Sequence, residues 1–182
     1  MSRLRVLCVL GLLTACVFAQ AGRYNIGREA TPEEVRGWDI SVRPDGLGLP
    51  SGHGTPDEGR RVYAAKCSSC HGDGGEGTVH YPALVGGRGS LTSAKPLRTV
   101  GSYWPYATTV WDHIHRTMPY TEPRTLTPNE TYSVTAYILF LNGIVDEHVE
   151  LNENTLPKVK MPNREGFVAD PRPDIPVKAK ER

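Results

Sequence analysis

Two cysteines and a histidine within five residues constrain this chain more than any other feature of its sequence. The stretch CSSCH at 67–71 places two thiols three positions apart, with an imidazole directly after the second thiol. A glycine-rich segment, GDGGEG at 72–77, follows it. Any fold for this chain has to use these side chains, and the chemistry open to the thiols depends on where the protein is located.

The first 21 residues have the pattern of a cleavable export signal. Two arginines precede an apolar run from Val6 to Ala19, and alanines at 19 and 21 form an A-x-A cleavage site. We therefore predict a signal peptide at 1–21 and an exported, periplasmic mature chain. The segment LTAC, ending at Cys16, also resembles a lipobox, so the protein would contact a membrane only if Cys16 is lipidated.

An exported chain keeps only Cys67 and Cys70 of its four cysteines, which leaves three uses for the motif. A disulfide across so short a gap is usually redox-active, and no βαβ pattern of the thioredoxin type surrounds it. A zinc site commonly needs a second pair of ligands, which the sequence lacks. Covalent haem attachment has CxxCH as its signature, with two thioether bonds and the adjacent histidine on the iron. We predict one covalently bound haem c, with His71 as its proximal ligand.

Three segments with helical patterns are arranged around the motif. The first, at 55–66, opens with a T-P-x-E capping pattern and runs into CSSCH, and Gly59 on its inner face would allow another helix to approach closely. The second, at 106–116, is amphipathic. The third, at 126–143, repeats the T-P-x-E pattern and ends at Asn-Gly. This order predicts an all-α class I cytochrome c fold.

A second axial ligand would complete a six-coordinate electron carrier, and methionine raises the reduction potential. Met118 lies between the second and third segments, and Pro119 keeps the following backbone out of a helix. We predict Met118 as the distal ligand. Met161, beyond the third segment, and the histidines His113 and His115 remain alternatives.

Side chains that could bind the haem propionates lie just before the second helical segment. Trp104 and Tyr106 are expected either to be core aromatic residues or to donate hydrogen bonds to a propionate, since buried indole and phenol groups seek partners. The basic residues Arg88, Lys95 and Arg98 are further candidates, although positive side chains on loops are usually solvated.

The remaining sequence divides into a leader and a tail. We predict an irregular leader at 22–54 that packs on the domain, a cytochrome c domain at 55–145 and a C-terminal extension at 146–182 whose last part is loose. The leader contains one further T-P-x-E cap, and Trp38 is expected to be a packing anchor. The 21 basic and 20 acidic residues form no basic stripe, so nucleic acid is not an expected partner.

Four sequence blocks resemble a known family. The stretch from Gly46 to Gly72 is joined by VGSYWPYATTVWDHIHRTMPY at 100–120, TAYILFLNGI at 135–144 and KVKMPNREGF at 158–167. Together they resemble the cytochrome c subunits of sulfur-oxidising (Sox) sulfane dehydrogenases and related sulfite dehydrogenase cytochromes. The later blocks are more specific than CxxCH, and the resemblance covers nearly all of the mature chain. One departure is that this chain has a single haem motif, whereas the Sox cytochromes commonly carry two.

The resemblance implies an electron-transfer protein rather than an enzyme. Its electron donor would be a molybdenum-cofactor dehydrogenase that oxidises a reduced sulfur compound, and its acceptor a downstream cytochrome or terminal oxidase. Carried over by position, Cys67 and Cys70 would bind the haem, with His71 and Met118 on the iron. The alternatives are a general respiratory electron shuttle and a haem enzyme acting on thiosulfate.

Overall fold

The computed structural model describes residues 26–170 and 172, so the predicted signal peptide lies outside the described residues. The chain divides into two compact units, one ending at Ile40 and the other beginning at Ser41. Within the described part of the chain, no helix is long and apolar enough to cross a bilayer.

In its described residues, 26–40, the first unit contains one short helix, α1, at Pro32–Trp38. Its T-P-x-E sequence forms the expected capping box, in which the Glu34 amide donates to the Thr31 hydroxyl and the Thr31 amide donates to the Glu34 carboxylate. The helix has no buried residue, and Trp38 is 87% exposed. The expectation that Trp38 is a packing anchor is therefore wrong, because local capping rather than burial supports this helix.

In its described residues, the regular structure of the second unit is helical, with one small sheet. Its helices are α2 (Pro56–Lys66), α3 (Ser68–His71), α4 (Ala107–Thr117) and α5 (Pro128–Leu141), with single 3₁₀ turns at Ser90–Thr92 and Leu156–Lys158. Strands β1 (His53–Gly54) and β2 (Leu151–Asn152) pair antiparallel. The arrangement confirms the all-α cytochrome c fold with long irregular segments before and after it.

Helices α2 and α5 cross at a glycine. A Cβ atom on Gly59 would lie 1.9 Å from the carbonyl oxygen of Ser133, so a side chain on Gly59 would clash with the backbone of α5. Farther along the crossing, the rings of Tyr63 and Tyr137 meet edge to face at a centroid distance of 5.4 Å. The prediction that Gly59 permits close helix approach is confirmed.

Helices α4 and α5 supply most of the buried hydrophobic core. Helix α5 is buried almost all round, from Thr131 to Leu139, because other elements pack against most of its circumference. Helix α4 buries the predicted face, which consists of Ala107, Val110, Trp111 and Ile114. Trp111 is fully buried, and its ring lies 5.3 Å from the ring of Tyr132 on α5.

The part of the leader that belongs to the second unit is fastened to these helices by polar contacts. The amide of Val42 donates to the buried carboxylate of Asp112 on α4 at 2.9 Å. The hydroxyl of Tyr132 on α5 donates to the carbonyl of Pro50 at 2.9 Å. These two contacts pair backbone groups of the leader with side chains of the helices.

Candidate functional site

The two cysteines lie one helical turn apart, immediately after α2. Cys67 ends α2, and its carbonyl oxygen accepts hydrogen bonds from the amides of Cys70 (3.1 Å) and His71 (3.0 Å), which form the single turn of α3. Residues three apart in a helix share one side of it. Both thiols are free, and burial raises the pKa of the Cys67 thiol to about 11. The turn thus presents both thiols on one side.

The loop after the motif orients the histidine. The Nδ1 atom of His71 lies 2.9 Å from the carbonyl oxygen of Pro82. Since a carbonyl oxygen can only accept a hydrogen bond, Nδ1 carries a proton, so in the neutral ring the lone pair belongs to the Nε2 atom. A backbone carbonyl that fixes the tautomer in this way is the usual support of a metal-ligating histidine.

A cavity of about 510 Å³ opens beside the cysteine turn. Its wall includes Cys67, Cys70, His71, Trp104 and Met118, all of which were singled out from the sequence. Most of the rest of the wall is apolar, with side chains such as Val100, Val110, Ile114 and Ile138. A largely apolar cavity of this size with a few polar groups is typical of a cofactor site.

Met118 reaches the cavity because α4 ends there. It is the C-terminal cap of the helix, its amide donates to the carbonyl of Ile114 at 3.0 Å, and its backbone is extended. The chain then leaves the helix through Pro119, which also lines the cavity. The start of the loop between α4 and α5 thus supplies part of the same cavity wall as the cysteine turn.

Of the three alternative iron ligands, one lines the cavity and two do not. Met161 is only 3% exposed and belongs to the hydrophobic core rather than to the cavity wall. His113 does line the cavity, and burial lowers its pKa. His115 lies outside the wall, stacked on the ring of Trp111 at 4.7 Å. The structure therefore brings Met118 and His113 to the cavity.

Only one of the two aromatic candidates for a propionate contact lines the cavity. Trp104 lines the cavity, with its ring 5.5 Å from that of His113. Tyr106 is not among the lining residues, and the guanidinium of Arg164 lies 4.2 Å from its ring centroid. A propionate contact by either side chain stays a prediction.

Of the three basic candidates for a propionate contact, one lines the cavity. Arg98 lines the cavity. Arg88 does not, and it donates to the carbonyl of Asn142 at 3.1 Å. Lys95 is exposed and also lies outside the wall.

Some groups of the site have no sequence signal. The Pro82 carbonyl that accepts from His71 belongs to the backbone, so the residue type at position 82 does not predict this hydrogen bond. Tyr81 and Tyr120 both line the cavity while remaining exposed, which places them at its mouth. Their positions depend on the path of two irregular loops, which periodicity does not describe.

Comparisons with known proteins agree with this description. Residues 54–138 match the family model described as cytochrome c oxidase, cbb3-type, subunit III. A chain in the crystal structure of the sulfane dehydrogenase SoxCD from Paracoccus pantotrophus is 47% identical, with a TM-score of 0.77, and the match covers 81% of this chain and 73% of that one.

A more distant likeness is to a chain of the thiosulfate dehydrogenase TsdBA from Marichromatium purpuratum. It is 30% identical over 47% of this chain and 17% of that one, and its TM-score of 0.36 is too low to describe the fold. A search of curated proteins gave no match.

Proposed function

This chain belongs to the family of class I cytochromes c that includes the cytochrome of the Sox sulfane dehydrogenases, and we propose that it carries single electrons from a molybdenum-cofactor sulfur dehydrogenase to the respiratory chain. Cytochromes c of this kind hold a covalently bound haem c. The proposal includes one haem per chain, because the sequence has one CxxCH motif.

The residues around the cavity fit a haem. Two free thiols stand one turn apart on its wall, and one imidazole beside them has its Nδ1 atom fixed by a carbonyl oxygen. The single observation that carries the proposal is that Cys67, Cys70, His71 and Met118 line one cavity of about 510 Å³.

In this proposal each residue has a defined task. Cys67 and Cys70 form the thioether bonds, and His71 offers its Nε2 atom to the iron while Pro82 holds its Nδ1 proton. Met118 offers a thioether sulfur, which favours the reduced state of iron. The bound haem supplies the one-electron couple, and the apolar wall keeps water away from it. No further substrate chemistry is assigned to these residues, so we propose an electron carrier rather than an enzyme.

The cofactor proposal is tested on the purified holoprotein. Acid–acetone extraction should leave the haem with the protein, and the mass should exceed that of the mature chain by one haem. Release of haem into the organic layer would overturn covalent attachment.

The ligand assignment is tested by spectroscopy. Met118→Ala should abolish the near-infrared band of sulfur-ligated ferric haem and lower the reduction potential. His113→Ala and Met161→Ala are the matched controls, which should keep the band. If a control variant loses the band while Met118→Ala keeps it, Met118 is not the distal ligand, and the residue changed in that control, or one next to it, is.

The sulfur partner is supported by the 47% identity to a chain of the SoxCD structure. The experiment is stopped-flow mixing of the oxidised cytochrome with a molybdenum sulfur dehydrogenase, first with sulfite and then with thiosulfate. Reduction within the turnover time of the dehydrogenase is expected. If neither substrate reduces the cytochrome while a quinol-linked donor does, the protein is a general respiratory shuttle.

The proposal places this reaction in the periplasm, with export directed by residues 1–21. Lipidation of Cys16 would add a membrane anchor. The mass of the mature N-terminus distinguishes cleavage after Ala21 from lipidation, because the two products differ in length and in the attached lipid.

A further inference from the structure

Two sequence blocks that lie far apart in the chain meet beside the cavity. The amide nitrogen Nδ2 of Asn163 donates to the carbonyl of Tyr103, sixty positions earlier, at 2.8 Å. The rings of Tyr103 and Phe167 meet edge to face at a centroid distance of 5.3 Å. The first block contains Trp104 of the cavity wall, whereas the second block, MPNREGF at 161–167, has no place in the function described so far.

The residue types of this second block are explained by its contacts with the first. Met161 anchors the segment in the core, and Arg164 covers the ring of Tyr106. A Cβ atom on Gly166 would lie 1.8 Å from the side-chain oxygen of Asn163. A glycine at this position therefore leaves room for the asparagine that donates to Tyr103.

Tyr103 also contacts a cationic residue of the cavity wall. The guanidinium carbon of Arg98 lies 5.7 Å from the centroid of the Tyr103 ring, which is within the range of a cation–π interaction. Tyr103 is thus held by the tail through its carbonyl and its ring, and it in turn restrains Arg98.

The charge of Arg98 is available to a ligand of the cavity. Of the described residues, the other lysine or arginine on the wall is Lys66, which lies 3.4 Å from the carboxylate of Glu130 on α5. Among the residues that the structure describes, no carboxylate lies within ion-pair distance of Arg98. A largely apolar cavity with one such cation on its wall fits a ligand that carries a carboxylate at its edge.

We infer that the segment 161–167 is a positioning clamp for the haem site: through Tyr103 it holds the Arg98 guanidinium at the cavity wall, where the positive charge binds a propionate carboxylate and raises the reduction potential. The inference rests on the proposed haem site. A nearby positive charge opposes the oxidised iron, which carries one more positive charge than the reduced iron, and Arg98 is exposed enough for solvent to weaken this effect.

The experiment is a redox titration of the purified holoprotein against a mediator dye. Arg98→Gln should lower the potential, seen as a roughly two- to tenfold shift of the electron-exchange equilibrium toward the oxidised cytochrome. Lys95→Gln is its matched control, since it removes the same charge three positions away and outside the cavity wall, and it should leave the equilibrium close to that of the wild type.

The tail is tested in the same assay. Phe167 is 51% exposed and its neighbour Val168 is 90% exposed, so neither substitution by alanine removes a core residue. Phe167→Ala should shift the equilibrium in the same direction as Arg98→Gln, while Val168→Ala should not. Phe167→Tyr, which keeps the ring, should restore the wild-type value. Gly166→Ala displaces Asn163 and gives a second, independent way of loosening Tyr103.

The double variant Arg98→Gln/Phe167→Ala decides whether the tail acts through the arginine. If it does, the double variant should shift no further than Arg98→Gln alone, because the two changes interrupt one chain of contacts. Fully additive shifts would overturn the inference, as would a wild-type equilibrium in Phe167→Ala. Absence of the haem spectrum from the wild-type protein would instead overturn the proposed function, and it is seen before any titration begins.

Discussion

The close crossing of α2 and α5 predicts a stability loss for Gly59→Ala. A Cβ atom at Gly59 would stand 1.9 Å from a backbone oxygen and 2.8 Å from the Cβ of Tyr137, whereas real Cβ atoms essentially never come closer than 3.0 Å. The nearer neighbour is backbone, so no side-chain rotation relieves the clash. One helix has to move by about an ångström.

Two opposing effects set the size of that loss. Alanine is preferred to glycine in a helix interior by about 1 kcal/mol. Overpacking a well-filled interface costs about 1–3 kcal/mol, and a clash with backbone belongs at the upper end of that range. The expected net destabilisation is therefore about 2 kcal/mol, which corresponds to a fall in Tm of about 4–8 °C for a chain of this size.

Thermal unfolding of the holoprotein, followed by far-ultraviolet circular dichroism, measures this difference. Ala65→Gly, at an exposed position of the same helix, gives the propensity difference alone, with an expected loss of about 1 kcal/mol. Gly37→Ala in α1 is the matched control, because a Cβ there meets nothing within 4 Å, and no loss is expected. If Gly59→Ala melts at or above the wild-type temperature, the argument from the helix crossing is wrong.

Three further predictions concern polar contacts. Asp112→Ala leaves the buried Val42 amide without its acceptor and should cost about 1–3 kcal/mol of unfolding free energy in denaturant titration, whereas Asp112→Asn should recover part of it. Hydrogen bonds from the capping amides lower the pKa values of Glu58 and Glu130. The two ionised carboxylates therefore stabilise the folded protein above the unfolded pKa of 4.5, and this stabilisation is lost as the pH falls through the folded pKa values. The Tm of Glu58→Gln/Glu130→Gln should accordingly depend less on pH in that window than the Tm of the wild type. Asn142→Ala removes two side-chain bonds to the backbone of the loop after the CxxCH motif, and hydrogen exchange should show that loop opening more readily.

The features of the fold that could be predicted from the sequence are those encoded by residues close together in the chain. The T-P-x-E pattern predicted three helix starts, and all three form capping boxes in the structure. Such a box depends on residues three positions apart, so it is encoded within a single short segment. The buried face of α4 was predictable for the same reason, because helical periodicity repeats within a few turns.

Long-range packing decided what the sequence left open. From sequence, Met118, Met161 and two histidines were all candidate ligands, and only the path of the chain shows that Met118 and His113 reach the cavity while Met161 enters the core. The prediction that Trp38 is a packing anchor was wrong, because an aromatic residue type alone does not determine whether other residues pack against it.

The sequence by itself determined the chemistry available to this protein: two thiols and an imidazole in CxxCH, a few possible second ligands, and the helix starts that frame them. The tertiary structure alone decided which of these groups share a cavity, which carbonyl fixes the His71 tautomer, and that the tail meets Tyr103. The physical reason is that residue type sets what a group can bind, whereas contacts between residues sixty positions apart depend on how the whole core packs.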